Sequence, residues 1–534
     1  MGSWFRIVVW LIVAACAAQT PAPTSSASLV DLDGRRPGDV REQRAFTLDN
    51  GMRVLVVSDA DLQMSSAALA VEVGSLADPA ERQGMAHFLE HMLFLGTEKY
   101  PSEGEYGAYM RSNGGYTNAY TASEHTNYLF EVNHDAFEGA LDRFAQFFIG
   151  PLFTEEFVQR ELNAVASEHA KNLQNDFWRS RMVTRALHRD GHPRQLFSTG
   201  SLETLEGITR DELIAFYDRH YSANRMTLAV LGTEGLDQLE RWAREKFGPV
   251  VDRGIEAPTY PSAIFPDALP QRIDIVPVGD RRDLWIEFSV PPDTERWSAK
   301  PGSLLGSLVG HEGEGSLLSA LKAEGLATSL SAGLQNESYR GIFGVDMELT
   351  EAGMADVERV VELVLGYVAM LRDQGLSERY YREQQVVGDL DFYFREHQTG
   401  GDGASFLTDQ MRNHPGQEIE RRLYTLSSYD PDLFAEYVAL LRPDNMRVIR
   451  IAAGLETDAV EPYYGTKFAN GTWPAETVAR WTAAEPTGAM HLPPVNPYLP
   501  DDVSLLLRNE EQGVHAYVHH LTLLGKRTDE VFND

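Results

Sequence analysis

Apolar and polar positions along the first half of the chain predict a sheet covered by helices. Strands are indicated where short runs rich in β-branched and aromatic residues stand between turn signals such as Asn50-Gly51. Helices are indicated where apolar residues recur every three or four positions over a longer stretch. The predicted strands are residues 50–59, 65–75, 226–232 and a pair within 115–132, and the predicted helices are residues 78–96, 134–148 and 154–175.

The first of these helices has clear signals at both ends. Asp78 can cap its start, Pro79 suits the first helical position, and Glu81 stands where a capping box needs an acidic residue. Gly96 is typical of a helix end. We therefore expect the helix to start directly after Asp78.

The second half of the chain repeats the pattern of the first. Residues 211–232 and 431–452 align at an offset of 220, which pairs Tyr217 with Tyr437. A duplication of this length indicates two tandem homologous domains, each a sheet covered by helices. The predicted divisions are a first domain over residues 40–250, a proline-rich linker over 251–270 and a second domain over 271–490.

The composition is that of a globular protein with an acidic surface. Of 534 residues, 43% are hydrophobic and 24% are charged, which allows a large core. The formal net charge of −32 disfavours nucleic acid and anionic lipid as partners and gives a mild preference for basic substrates.

The first residues of the chain are typical of a bacterial export signal. Arg6 supplies a minimal positive region, and residues 7–15 are apolar but too short to cross a bilayer. Cys16 is the only cysteine in the chain and stands where a lipobox cysteine would be lipidated, so disulfides are excluded. We expect a signal peptide over residues 1–15, a lipidated flexible tether over 16–39, and a periplasmic protein held to the membrane by its lipid alone.

Three polar residues interrupt the apolar run of the first helix. His87, Glu90 and His91 are spaced so that they share one helical face. Two imidazoles at this spacing can bind one Zn²⁺, and the glutamate beside them can take a proton from water that the metal activates. The order is that of an inverted zinc-protease motif. At the offset of 220 the second copy keeps only one of the three, because these positions become Ser307, Gly310 and His311.

A catalytic zinc site needs a third protein ligand. Glu161 and Glu168 are seven residues apart, so both lie on one face of the helix predicted over residues 154–175, whereas His169 lies off that face. Reasoning from the residues alone leaves the choice between the two glutamates open.

Several long segments of the chain resemble the insulinase/pitrilysin family of zinc endopeptidases. They include HFLEHMLFLGTEKYP, GGYTNAYTASEHTNYLFEV, RELNAVASEHAKNLQND and HLPPVNPYLPDD, and the resemblance extends over residues 40–505. It implies an α+β fold with two tandem homologous domains, each a mainly antiparallel sheet packed with helices. It also implies one zinc ion per chain and cleavage of short or unfolded peptides. It also implies that the third ligand is a glutamate 77 residues after the second motif histidine, which is Glu168.

The resemblance also implies roles for residues around the metal. Glu161 matches a position that supports the ligands. Asn118 and Ala119 match an edge strand that pairs with the substrate backbone. Residues 331–335 resemble a strand that holds the substrate N-terminus.

Long members of the family have four such domains in two halves, and this chain resembles the N-terminal half. Residues 491–507 resemble the connector between the halves, and residues 508–534 stay unassigned. We therefore expect reduced peptidase activity from the chain alone, and assembly with a separate C-terminal half or with a second copy. The alternative is a non-catalytic, zinc-binding half that binds peptides or serves as an assembly subunit.

Overall fold

The computed structural model describes residues 39–413 and 419–499. The predicted signal peptide, Cys16, most of the tether and the unassigned tail lie outside the described residues. Among the helices that are described, each falls short of the length or apolarity that a bilayer crossing requires.

The first half of the chain forms a six-stranded sheet with helices around it. Its strand order is β1-β2-β6-β3-β5-β4, and every neighbouring pair is antiparallel except β2 with β6. The strands are β1 (Glu42–Thr47), β2 (Arg53–Ser58), β3 (Ser65–Val71), β4 (Tyr116–Thr121), β5 (Thr126–Val132) and β6 (Met226–Gly232). The helices are α1 (Met85–Met92), α2 (Glu105–Ser112), α3 (Phe137–Gln146), α4 (Glu155–Asn172), α5 (Asp176–Ala186), α6 (Arg210–His220) and α7 (Leu236–Phe247).

The second half forms a seven-stranded sheet with a similar plan. Its order is β12-β13-β7-β11-β8-β10-β9, and again a single pair, β7 with β11, is parallel. The strands are β7 (Gln271–Ile275), β8 (Arg282–Val290), β9 (Ala327–Glu337), β10 (Arg340–Leu349), β11 (Met446–Ala452), β12 (Ala459–Glu461) and β13 (Thr466–Thr472). The helices are α8 (Pro301–Val309), α9 (Leu317–Ala323), α10 (Glu351–Ala355), α11 (Val357–Gln374), α12 (Glu378–Phe394), α13 (Gly400–Asn413), α14 (Pro431–Ala439) and α15 (Ala475–Thr482).

The α+β fold with two similar, mainly antiparallel sheets is therefore confirmed. Strand β11 lies 220 residues after β6 at both of its ends, as the repeat predicts. The sheets differ at one edge. The strand outside β2 is β1, which precedes it in the chain, whereas the strand outside β7 is β13, which comes from near the end.

One helix from each half packs on the sheet of the other half. The inner face of the first sheet packs on α1, α3 and α7, while its outer face, including Leu55 and Val57, is covered by Leu407 and Met411 of α13. In return, Val183 of α5 packs on the isoleucines of β7 and β11. Because both faces of the central strands are buried, they read as continuous apolar runs rather than as alternating ones.

Candidate metal centre and peptide cleft

Helix α1 presents the polar triplet on one side because its other side is anchored in the core. Phe88, Leu89 and Met92 are fully buried against the first sheet. The helix begins at Met85, so the prediction that it starts after Asp78 is wrong. Asp78 still caps it from outside, since its carboxylate accepts hydrogen bonds from the backbone N–H groups of Gly84 and Ala86, both at 2.8 Å. Burial raises the pKa of Asp78 to about 7.

The two histidines are held in the same tautomer. His87 Nδ1 lies 2.7 Å from the carbonyl oxygen of Thr199, and His91 Nδ1 lies 2.8 Å from Oε1 of Glu161. A carbonyl and a carboxylate can only accept, so both Nδ1 atoms carry the proton. In the neutral imidazole each Nε2 atom then presents its lone pair, the arrangement found in metal-binding histidines.

Both Nε2 atoms face Oε2 of Glu168 on α4. The distances are 3.6 Å from His87 and 3.5 Å from His91. Two ligand atoms at about 2.0–2.1 Å from a tetrahedral centre lie about 3.4 Å apart, so the trio fits one Zn²⁺-sized ion. Within the described residues, this is the one group of three or more such side chains whose ligand atoms converge, all within 4.8 Å of one another. The donor set of two nitrogens and one oxygen is that of a catalytic zinc site.

The charges of the trio favour a positive charge at its centre. Burial alone would lower the pKa of His91, but its hydrogen bonds to Glu161 and Glu168 raise that pKa to about 10. The hydrogen bond to His91 lowers the pKa of Glu168. A cluster that attracts a proton this strongly also attracts a divalent cation, which replaces the proton.

Glu90 points into the same cleft but does not belong to the converging trio. It is buried, and its Oε2 accepts a hydrogen bond from Thr121 Oγ1 at 2.6 Å. Burial raises the pKa of Glu90, while His87 and the Thr121 hydroxyl oppose that shift. A carboxylate held in place with a raised pKa is suited to accept a proton from water.

The trio lies in a cleft between α1, α4 and the edge of the first sheet. The cleft has a volume of about 660 Å³, and its lining includes Asn118 and Ala119 of β4. Among the described strands, β4 pairs only with β5, so its outer edge is free to add an extended peptide as a further strand. The residues predicted to hold the substrate N-terminus, 331–335, lie in β9, the corresponding edge strand of the second sheet.

Three residues of the cleft went unnoticed in the sequence. Thr199 orients His87, Thr121 holds Glu90, and Trp178 of α5 forms part of the wall. Thr199 acts through its backbone carbonyl, which no sequence pattern distinguishes. Thr121 could have been noticed, since it lies on the same predicted strand as Asn118.

Models of known protein families match three consecutive parts of the chain. The sequence model of Insulinase (Peptidase family M16) matches residues 53–191, Peptidase M16 inactive domain matches 207–385, and Middle or third domain of peptidase_M16 matches 392–521. The last range runs through the predicted connector into the tail that the sequence analysis left unassigned.

Individual relatives match over most of this chain. Insulin-degrading enzyme of Homo sapiens is 39% identical over 489 residues, which is 89% of this chain and 48% of the human protein. A-factor-processing enzyme of Saccharomyces cerevisiae is 39% identical over 488 residues, 89% of this chain and 47% of the yeast protein. The chain thus spans about half the length of the curated relatives it matches.

A solved structure shows the same arrangement. The crystal structure of pitrilysin superposes with a TM-score of 0.85 at 31% identity and covers 89% of this chain and 52% of its own. With the matched family models, the similar relatives and the His-His-Glu site, these findings show that the chain belongs to the insulinase/pitrilysin family of zinc metallopeptidases, Peptidase family M16.

Proposed function

We propose that this chain is a zinc-dependent endopeptidase that cleaves short or unfolded peptides. One observation carries the proposal: the Nε2 atoms of His87 and His91 converge on Glu168, with the carboxylate of Glu90 in the same cleft. A protein that only bound metal would not need the Glu90 carboxylate beside the three ligands.

The residues around the site have separate roles in hydrolysis. His87, His91 and Glu168 would hold one zinc ion, which supplies a Lewis acid that acidifies water and polarises a carbonyl. An extended peptide pairs with the free edge of β4 at Asn118 and Ala119, which brings its backbone past the ligands. Glu90 accepts the proton of the attacking water and then returns it to the leaving amine. Thr121 keeps the Glu90 carboxylate aimed at that position.

The exposure of the site supports a further proposal, that a second half closes over it. The side chain of Glu168 is 45% exposed, and the curated relatives extend over about twice the matched length. An open cleft leaves the substrate poorly oriented, and it adds no donors to stabilise the oxyanion, each worth about 2.7–4 kcal/mol in other enzymes. The closing half would belong to a longer form of this chain, to a separate chain, or to a second copy.

The N-terminal sequence carries a proposal about location. We propose that Cys16 is lipidated and that the protein is anchored in the periplasm, since the cysteine follows Val13-Ala14-Ala15 and no other cysteine occurs. Mass spectrometry of the mature protein should find a lipidated Cys16 at the N-terminus. An unmodified N-terminus at another residue would refute the proposal.

A fluorogenic peptide assay tests the proposed activity. The purified chain with one equivalent of Zn²⁺ should cleave an internally quenched peptide, a chelator should stop cleavage, and added Zn²⁺ should restore it. A non-chelating isomer of the same chelator is the control. Co-expression with the C-terminal half of a long relative should raise the rate. Absence of cleavage in every arm, with zinc bound, would favour the non-catalytic binding subunit instead.

A further inference from the structure

A second, smaller cavity adjoins the metal cleft. The two share Trp178, Ser198 and Thr199 in their walls. Because the Thr199 carbonyl accepts the hydrogen bond from His87, the shared wall lies directly behind a metal ligand. The small cavity has a free volume of about 10 Å³, room for roughly one water molecule or one carboxylate oxygen.

Arg181 of α5 lines this cavity without an ion pair of its own among the described residues, and the carboxylate that acts on its charge, Glu337, is already paired with Arg194 and Arg340. Within the described parts of the chain, its guanidinium has no ion pair and no hydrogen bond, and its one ring contact is Phe177, whose centroid lies 6.0 Å away. The side chain is half-buried, so water compensates its charge only in part. An unpaired, half-buried guanidinium is a site for a planar anion, since its N–H groups match a carboxylate in pairs.

The surroundings of Arg181 are unusually basic. Arg185 is buried and donates only to neutral oxygens, those of Arg194, Ser198 and Leu196. Arg194 and Arg340 share one carboxylate, that of Glu337. Burial and the neighbouring arginines lower the pKa of Arg185 to about 9.

This local charge is opposite in sign to that of the whole protein. The formal net charge is −32, which would direct acidic peptides away from most of the surface. Around the small cavity, however, the arginines outnumber the carboxylates that pair with them, whereas Glu90, Glu161 and Glu168 line the metal cleft itself. Short-range pairing in a partly buried site is screened much less than the distant surface charges, so the local sign decides which substrate atom binds there.

We propose that Arg181 is a specificity-determining residue that binds a carboxylate of the peptide substrate close to the scissile bond. The inference rests on the proposed function, since the metal ligands mark where the scissile bond lies. The carboxylate comes either from an Asp or Glu side chain or from the C-terminus of a short peptide. The small free volume admits one carboxylate oxygen rather than an aromatic ring.

The test compares matched peptides on the zinc-loaded chain. Internally quenched peptides differ only by Glu or Gln at each position around the cleaved bond, and a short peptide is made with a free or an amidated C-terminus. At one position the wild type should show a kcat/KM roughly tenfold higher for Glu than for Gln, as expected for one charge-assisted hydrogen bond. A preference for the free C-terminus alone would identify the terminal carboxylate as the ligand.

Substitutions assign the preference to Arg181. Arg181→Met should bring the Glu/Gln ratio of kcat/KM to about one, Arg181→Lys should keep part of the preference, and Arg181→Glu should favour Lys at the same position. Arg382→Met, which removes an exposed arginine of α12, is the matched control and should leave the ratio at its wild-type value. Circular dichroism checks that each variant is folded.

A binding measurement tests this inference separately from the proposed activity. Fluorescence anisotropy with Glu90→Gln measures affinity for the same peptide pairs without hydrolysis. Equal turnover and equal affinity for the Glu and Gln peptides, and for the free and amidated ones, would overturn the role of Arg181 while leaving the peptidase standing. Selective binding without any hydrolysis by the wild type would support the carboxylate subsite and reject the peptidase.

Discussion

The two halves of this chain have the same fold. They differ in which residues occupy the space beside the edge strand. At the offset of 220, helix α4 corresponds to α12 and β6 to β11. The proposed metal ligand Glu168 then corresponds to Gly388, and Glu161, which orients His91, corresponds to Tyr381. Ser307 and Gly310 stand at the positions of His87 and Glu90. Of the site positions compared, only that of His91 keeps its residue type in the second half, as His311.

The second half fills the place where the first half has its cleft. Ser307 accepts a hydrogen bond from Tyr380 of α12 at 3.0 Å. Helix α8 lies against β9 so closely that a Cβ on Gly306 would be 3.0 Å from the carbonyl oxygen of Ala332. A Cβ on Gly388 would be 2.2 Å from the carbonyl oxygen of Tyr424. The second half therefore has the same fold without counterparts of His87, Glu90 and Glu168.

The largest expected difference between the halves concerns the histidines at equivalent positions of the repeat, His91 and His311. His91→Ala should reduce bound zinc from about one ion per chain to nearly none and abolish peptide cleavage, because a catalytic site needs three protein ligands. His311→Ala is the matched control from the same position of the repeat, and it should keep both. Metal analysis by mass spectrometry, combined with the peptide assay, measures this contrast. Equal losses in the two variants would contradict the division of roles.

Substitution of the proposed general base, Glu90, should reduce turnover and leave zinc binding unchanged. Glu90→Gln preserves shape but cannot accept a proton, so kcat should fall by about 10²–10⁴-fold. Zinc content should stay at the wild-type level. The control is Glu312→Gln, an exposed glutamate near His311, which should not change kcat. Near wild-type turnover of Glu90→Gln would remove Glu90 from this role.

The two glutamates of α4 should differ in the size of their effect on zinc binding. Glu168→Gln replaces the charged carboxylate ligand with a neutral amide and should abolish stoichiometric binding. Glu161→Gln replaces the charged acceptor that orients His91 with a weaker amide oxygen, so affinity should fall by about 10–100-fold. Competition with a fluorescent zinc chelator measures both affinities. The reverse ranking would make Glu161 the ligand.

The smallest effect is expected in the second half and concerns stability alone. Gly388→Ala forces the Tyr424 backbone to move, which should lower the free energy of unfolding by about 1–3 kcal/mol. Zinc content should not change. Gly333→Ala is the control, because a Cβ there would meet nothing within 4 Å. Urea denaturation compares the two, and equal stability would show that this close contact relaxes freely.

The start of α1 shows where local signals mislead. Asp78, Pro79 and Glu81 form a plausible helix start in the sequence, yet the helix begins at Met85. Gly84 has a φ of +90° and approaches the backbone of Gly200 so closely that a Cβ would be 2.3 Å from it. A residue with positive φ interrupts a right-handed helix, so a contact made far along the chain sets the boundary.

The sequence by itself determined the features that depend on short-range geometry. The apolar periods predicted β2 to β6 and the helices α1, α3 and α4, and the helical spacing placed His87, Glu90 and His91 on one face. The offset of 220 predicted the second sheet. These features follow from bond geometry within a few residues, or from repetition of the same pattern, so no knowledge of distant contacts is needed.

Only the tertiary structure decided which distant groups meet. Spacing along α4 allowed either Glu161 or Glu168 as the third ligand, and the distances place Glu168 against both Nε2 atoms and Glu161 against Nδ1 of His91. Arg181 reads as one more arginine on a helix until the fold leaves it unpaired beside the cleft. The exchange of α5 and α13 between the sheets was equally invisible. In each case the deciding quantity is a distance between residues far apart in the chain, which packing of the whole core sets and no local pattern encodes.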